Sequence, residues 1–160
     1  MKHYFRPSSE TDWAKVKIFS PVKGTVVGIQ EEWAGTKVEI RSEEFSACTV
    51  AIFHVRLLRP LQPKDKVAPG QQLGFHFGKQ TLSDIAVSID TPRGRKLISY
   101  FEVLSDSVFA RYQSQGLHSR EDAIISKELR DADPLTCIRG EFVTPGKVPN
   151  WVGLGEERRR

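Results

Sequence analysis

The chain is 160 residues long, 39% apolar and 28% charged, an ordinary soluble-domain composition with enough length to build a core without disulfide staples. Its formal net charge of +4 sets 24 Lys+Arg against 20 Asp+Glu, and the arginines of the closing GEERRR supply much of the excess. With no stripe of aromatic and basic residues, no nucleic-acid partner is expected; no apolar run reaches the about 18 residues of a membrane span.

The opening MKHYFRPSSETDW carries basic residues but no apolar stretch, so it does not read as a secretory signal. The expectation is a cytosolic chain, or one that starts after a removed leader. Residues 15–19 (KVKIF) then alternate polar and apolar, as a half-buried strand does. Ser20, Pro21, Val22, Lys23 and Gly24 make a tight turn into a β-branched run, predicting a strand over 24–30. Residues 36–42 (TKVEIRS) set Val38 and Ile40 on one face, and Ala34-Gly35 supply the hairpin turn between the two strands. The apolar run 47–55 (ACTVAIFHV) predicts a central strand. It contains Cys48, one of only two cysteines; with Cys137 it allows one disulfide but no disulfide framework or zinc knuckle, and a buried free thiol is an equal alternative. Pro60 and Pro63 break the chain before a second turn, PKDKVAPGQQLG at 63–74, which holds Val67. Strands follow over 71–77 and 84–89 (DIAVSI), TPRG at 91–94 is a turn, and 96–103 (KLISYFEV) completes the β part.

The period then changes. Val108, Phe109 and Tyr112 fall at helical spacing over 105–116, with Ser105 or Asp106 as N-cap and Gly116 as stop. A second helix is expected over 119–134, where Ser119 and Asp122 resemble a capping box, Ile124, Ile125 and Leu129 form the apolar stripe, and Pro134 ends it. FVTPGKVPNWVGL reads as an extended arm that docks Trp151 and Leu154, and the arginine tail as exposed. The fold class is therefore mainly β: a β domain over 1–104, then a two-helix appendix and arm over 105–160 packing on the same domain.

IFSPVKGTVVGI, GTKVEI, IFHVRLL and DKVAPGQQLG, in that order, resemble the core of the lysostaphin-type (LytM-like) zinc metallopeptidases, which cut peptide cross-links in bacterial cell walls. The resemblance runs from about Val16 to Ile89 and leaves 97–154 without a counterpart. It implies a β-sandwich of the duplicated hybrid motif kind, shared with glucose-specific carrier domains of sugar phosphotransferase systems. It also implies a zinc held by a His-x-x-x-Asp pair and a later His, with another His to move the proton. Three such ligands leave one position for a water whose pKa the metal lowers. AIFHV puts His54 at the catalytic, non-ligand histidine. DIAVS puts Asp84 and Ala86 at the two histidine positions of the family's His-Leu-His-Phe-Glu motif, with the third ligand belonging at Ala86; Ala86 binds no metal and Asp84 offers at best a hard oxygen. No His-x-x-x-Asp precedes Ser20, since His3 and Asp12 lie too far apart. The resemblance thus implies a degenerate relative with no cofactor, zinc surviving only in an alternative reading.

Two readings stand for the residues around that position. In one, His54, His76 and Asp84 rebuild a metal site. In the other, His54 is a hydrogen-bonded core histidine, His76 of GFHFG faces water opposite Phe75 and Phe77, and Asp84 is a turn or cap residue. Trp13, Trp33, Phe53, Phe75 and Phe77 either line a groove or pack the core, and Trp33, beside the hairpin turn, is the aromatic expected to be exposed. No nucleophile elbow, activated thiol or phosphate loop is present. RGRK (93–96) and KELRDAD (127–133) read as solvated charge.

The expected function is a non-catalytic, peptidase-like domain in which His54, His76, Asp84 and Trp33 bind a peptidoglycan fragment, a sugar or a protein partner. The alternative is a metal-dependent hydrolase with a non-standard zinc site, or one completed upstream. A third reading, of another class, is a structural or carrier module that acts through its C-terminal helices. Family resemblance implies a place outside the cytoplasm; nothing in these residues fixes an oligomeric state.

Overall fold

The structure, a computed structural model, describes residues 1–139, 141–143, 146 and 151–155. It divides into two compact units, Met1–Tyr100 and Phe101–Arg160.

In the first unit the described residues form one antiparallel sheet of nine strands: β1 (Lys2–Phe5), β2 (Lys17–Phe19), β3 (Gly24–Glu31), β4 (Thr36–Ser42), β5 (Cys48–Leu57), β6 (Lys66–Val67), β7 (Gln72–His76), β8 (Ser83–Thr91) and β9 (Gly94–Ile98). The path runs β1-β8-β5-β4-β3-β6, with β7 joining β5, β2 joining β7, and β9 joining β8. The mainly-β expectation holds. Alternation places Thr36, Val38, Ile40 and Ser42 of β4 inward, beside Val50, Ile52 and Val55 of β5 and Ile85 and Val87 of β8. The two turn-and-strand signatures in the sequence bind each other. Ser20 N–H donates to the Gln71 carbonyl at 2.9 Å and Gly70 N–H to that of Ser20 at 2.8 Å, while β3 pairs with β6.

One strand organises the rest. Along one edge of β5 lies β4. Along the other lie two strands in succession: β8 pairs with Cys48–Phe53, and β7 pairs with Val55–Leu57. Both run antiparallel to β5, so β7 and β8 act as one long strand interrupted by the excursion 77–82. The break falls opposite His54. Where β7 meets β5, the backbones approach so closely that a Cβ on Gly74 would stand 2.3 Å from the Arg56 carbonyl oxygen.

Several expectations need correction. Residues 2–5 form β1, a strand with no signal in the sequence, because only His3 of it is buried and no alternation shows. A 3-10 turn at Trp13–Lys15, capped by Asp12, replaces the start of the strand expected over 15–19. The strand expected over 96–103 ends at Ile98; Tyr100–Val103 is a short helix, α1, and the buried Tyr100, Phe101 and Leu104 follow helical rather than strand spacing.

Beyond α1, α2 (Asp106–Ser114) forms as expected, with Ser105 as N-cap and Phe109 buried. The Arg120 guanidinium lies 4.6 Å over the Phe109 ring and bonds the Phe101 carbonyl at 2.6 Å and Asp106 at 2.9 Å. The second long helix does not form. Ser119 and Asp122 do bond reciprocally, but over a single 3-10 turn at Glu121–Ala123. Ile124 is extended (φ −118°, ψ 124°), as suits a β-branched residue, and Ser126 caps a separate helix, α3 (Lys127–Ala132), that buries nothing. A two-residue hairpin follows, β10 (Cys137–Ile138) with β11 (Glu141–Phe142). Trp151 and Leu154 of the arm are exposed, and Gly155 N–H bonds the Gln115 carbonyl at 2.8 Å; most of 144–150 and the arginine tail lie outside the described residues. Cys48 and Cys137 are free thiols. Among the described residues no helix is long and apolar enough to cross a membrane.

The close approach at Gly74 makes its substitution a test of the β7–β5 junction. Gly74→Ala is expected to lower stability by about 1–3 kcal/mol through overpacking, read as a drop in the urea midpoint without change in slope.

Candidate functional site

His54 stands at the break. Its φ of +58° is left-handed, rare for a residue with a Cβ and costing about 1–2 kcal/mol. The register between β4 and β5 shifts there, between Val38/Ile52 and Thr36/Val55. What holds this backbone is the tip of the β3–β4 hairpin. The Glu32 carboxylate accepts from the His54 backbone N–H at 3.1 Å and lies 3.2 Å from its ring Nδ1. The Ala34 carbonyl lies 3.0 Å from the same Nδ1. Both neighbours are acceptors, so Nδ1 carries the proton and donates. Nε2 is left as the ring's free atom: among the described residues it makes no hydrogen bond and is not sealed from solvent.

The hairpin tip is fixed in return. Glu32 N–H closes the loop on the Gly35 carbonyl at 2.8 Å, and Gly35 adopts φ +79°. A Cβ on Gly35 would stand 3.0 Å from the Val55 carbonyl oxygen and from the Phe77 ring, so tip, bulge and excursion meet at this glycine. Trp33, between these anchors, is 74% exposed, with its ring 5.7 Å from that of His54. The expected exposed aromatic is therefore present, and on a rigid loop.

His76 and Asp84 flank the break, at the end of β7 opposite Val55 and at the start of β8 opposite Phe53. Neither lies as expected. His76 shares a face with neither Phe75 nor Phe77, as alternation requires, but it is the histidine that points inward and is fully buried. Its ring meets the edge of Trp13 at 5.8 Å, and Trp13 is itself buried with its Nε1 bonded to the Ser8 carbonyl. His76 Nδ1 accepts from Gly78 N–H at 3.0 Å, which assigns the proton to Nε2; that atom is buried and makes no hydrogen bond of ordinary geometry, the Leu82 carbonyl acting on the ring only loosely. Burial pushes the His76 pKa below 6.5, helped by the nearby His54 and opposed by the Leu82 carbonyl and Asp84.

Asp84 is no turn residue but a strand residue, 2% exposed. Its Oδ2 pairs with the Lys2 ammonium at 2.7 Å, and its Oδ1 has no partner. Burial pushes its pKa up, and the bond to Lys2 pulls against that shift. Sequence reasoning missed both Lys2 and Glu32. Glu32 had a signal, an acid beside Trp33 in a four-residue loop; Lys2 had none, since only the pairing of β1 with β8 brings it here.

These residues do not fit a zinc ion. Among the described residues no three His, Cys, Asp or Glu side chains are grouped to hold a metal. The Nδ1 lone pair of His76 is taken by Gly78 N–H and its Nε2 carries the proton, Ala86 has no donor, and the counter-charge of Asp84 is an ammonium, so the free Nε2 of His54 finds no second ligand among them. The arrangement instead offers an exposed indole, a solvent-touching imidazole nitrogen, and two unsatisfied buried polar atoms of opposite kind.

No protein-family model matches the chain, and no curated protein matches it. Among solved structures it is similar to the NMR solution structure of lysostaphin, with 16% identity and a TM-score of 0.36 over 57% of this chain. The likeness spans 34% of the lysostaphin chain. What the site can do follows from its own geometry.

Two outcomes follow. Glu32→Ala removes the acceptor of two His54 donors, one of them a backbone N–H, and is expected to destabilise the protein by about 1–3 kcal/mol while raising the mobility of Trp33, seen as reduced fluorescence anisotropy. For His76, the folded pKa lies below the unfolded value of 6.5, so on acidification the unfolded chain takes the proton first. The neutral ring's contribution is whole above that value and is lost as pH falls through it toward the folded pKa. Urea midpoints should therefore fall with acidification more steeply in the unaltered protein than in His76→Phe. The difference between the two isolates this residue from Asp84, whose raised pKa acts with the opposite sign.

Proposed function

We propose that this protein is a non-catalytic binding module, and that its ligand, a cell-wall fragment, a sugar or a segment of a partner protein, lies against Trp33 and the neighbouring ring of His54, whereas His76 and Asp84 are buried and meet a ligand only if the chain around them opens. One observation carries the reading: an indole 74% exposed on a hairpin tip that His54 pins from beneath. A large, rigid aromatic face gives contact area with little ordering entropy, and it stacks on sugar rings and peptide groups alike. The sequence resemblance to cell-wall peptidases makes peptidoglycan fragments the first ligands to try.

A second reading, a hydrolase with a metal supplied by a non-standard site, rests on His54. With Nδ1–H oriented by the Glu32 carboxylate and Nε2 free, this ring has the form of a general base. Among the described residues it lacks the grouped ligands that would activate a water beside it.

Soluble peptidoglycan fragments titrated into the protein, followed by Trp fluorescence, test both. The binding reading expects saturable quenching, weakened at least about tenfold by Trp33→Ala, with no new peptide termini released. Release of such termini in the presence of added zinc, lost in His54→Ala, would replace it with the hydrolase.

A further inference from the structure

Lys2 displays the chemistry that the buried Asp84 carboxylate accepts. Its Nζ lies 2.7 Å from Asp84 Oδ2 and 3.8 Å from the centre of the Phe53 ring. A sealed carboxylate and an aromatic face at those distances are the two halves of an ammonium site, one giving a charge-assisted hydrogen bond and the other a cation–π contact. The two halves are built into the body of the sheet, since Asp84 and Phe53 are register partners on β8 and β5. The cation is not. It comes from β1, a four-residue strand whose one strand partner among the described residues is β8, Lys2 opposite Ala86 through Phe5 opposite Ser83, and which His3 also ties to Ser99 at 2.9 Å.

The site also has capacity that Lys2 leaves unused. Asp84 Oδ1 is buried and accepts nothing, although an ammonium carries three donors. The lysine side chain itself is 33% exposed, whereas the Asp84 side chain is 2% exposed. Of the two partners, Lys2 is the one that solvent reaches. An edge strand and a side-chain pocket together are the elements of strand-addition recognition, in which backbone pairing holds an extended peptide and a pocket selects one of its side chains.

We propose that Asp84 and Phe53 form a recognition site for a primary ammonium group on an extended peptide that pairs with Ser83–Ala86 of β8 in place of β1, with Lys2 as the resident stand-in. This deepens the binding reading, on which it rests, by naming the ligand's class: a peptide carrying a lysine-like amine. Local release of β1 opens both the strand edge and the ammonium pocket, and an incoming chain closes both. Because β1 competes as part of the same molecule, the external peptide must add contacts that β1 lacks, and Trp33 is one candidate surface for them.

Two titrations of the full chain test this. In Lys2→Ala, n-butylammonium should raise the unfolding temperature saturably, n-butanol should not, and the effect should vanish in Lys2→Ala combined with Asp84→Asn. In the unaltered protein, N-acetyl-Lys-His-Tyr-Phe-amide should shift the NMR signals of Asp84 and Phe53 saturably, with binding at least about tenfold weaker when norleucine replaces its lysine. Absence of amine rescue in a folded Lys2→Ala overturns the ammonium site. Rescue without peptide binding, or peptide binding indifferent to the lysine, overturns recognition in trans and leaves Lys2 as a fixed cross-link. Should Lys2→Ala fail to fold, the peptide titration decides alone. Trp33→Ala separates this inference from the broader one: it weakens fragment binding and leaves amine rescue intact.

Discussion

The left-handed backbone of His54 is the constraint on which the rest of the first unit depends. At that residue β5 exchanges one neighbour for another, β8 before it and β7 after it, while β4 continues along the opposite edge through a register shift. An L-residue does not hold that conformation by preference. Here it is over-determined by Glu32 and Ala34, which take the His54 backbone N–H and ring Nδ1–H. A strained residue, an oriented imidazole and a fixed hairpin tip are thus one structural event. If the bulge were regularised, β5 would turn its following side chains to the other face, and the exposure of Trp33 and burial of His76 would change with them.

Polarity collects at the same break for a reason that follows from the backbone. Where β7 leaves the β5 edge and β8 has yet to join it, the ladder is interrupted, and side chains rather than neighbouring strands meet the interior polar groups. His76 uses Nδ1 to cap the start of the excursion at Gly78 and keeps Nε2–H unsatisfied; Asp84 keeps an open oxygen. Buried polar atoms left unpaired are uncommon and destabilising by about 1–3 kcal/mol each. Thr49 Oγ1 is the third such atom among the described residues, on the same β5 strand but toward its start.

Much of the β framework was legible because its signals are local. Alternation marked β4, the turns marked the entries to β3 and β7, and TPRG marked the tight β8–β9 hairpin. The same locality explains the failures. In KLISYFEV the alternation runs on past Ile98, but Ser99 is buried and bonded to His3 across the sheet, and the next residues turn into α1. In SREDAIISKELRDADP the helical period was genuine in the apolar residues, yet Ser126 re-caps the chain in the middle of the segment. The site was half legible. Trp33 and His54 announced themselves through a hairpin and a motif-like context. Glu32 needed the bulge, Lys2 needed a strand from the far end of the unit, and the inward turn of His76 was hidden because Phe75 and Phe77 are the larger apolar neighbours. His76 wins the interior because Trp13, on its 3-10 turn, offers a ring edge there.

The pairing of β1 with β8 joins the two ends of the first unit, and this has a consequence for the order in which the molecule is completed. β3, β4 and β5 are joined in sequence by short turns, so their ladders close with little loss of chain entropy, whereas β1 must wait for β8 to be placed. Until it arrives, Asp84 sits in an apolar setting without its ammonium. The docking of β1 on β8 is therefore also the step that gives the buried Asp84 its counter-charge. The ease with which it leaves again, measurable as amide exchange at Lys2–Phe5 against that of β4 and β5, is the rate at which the protein shows its acidic interior to the outside.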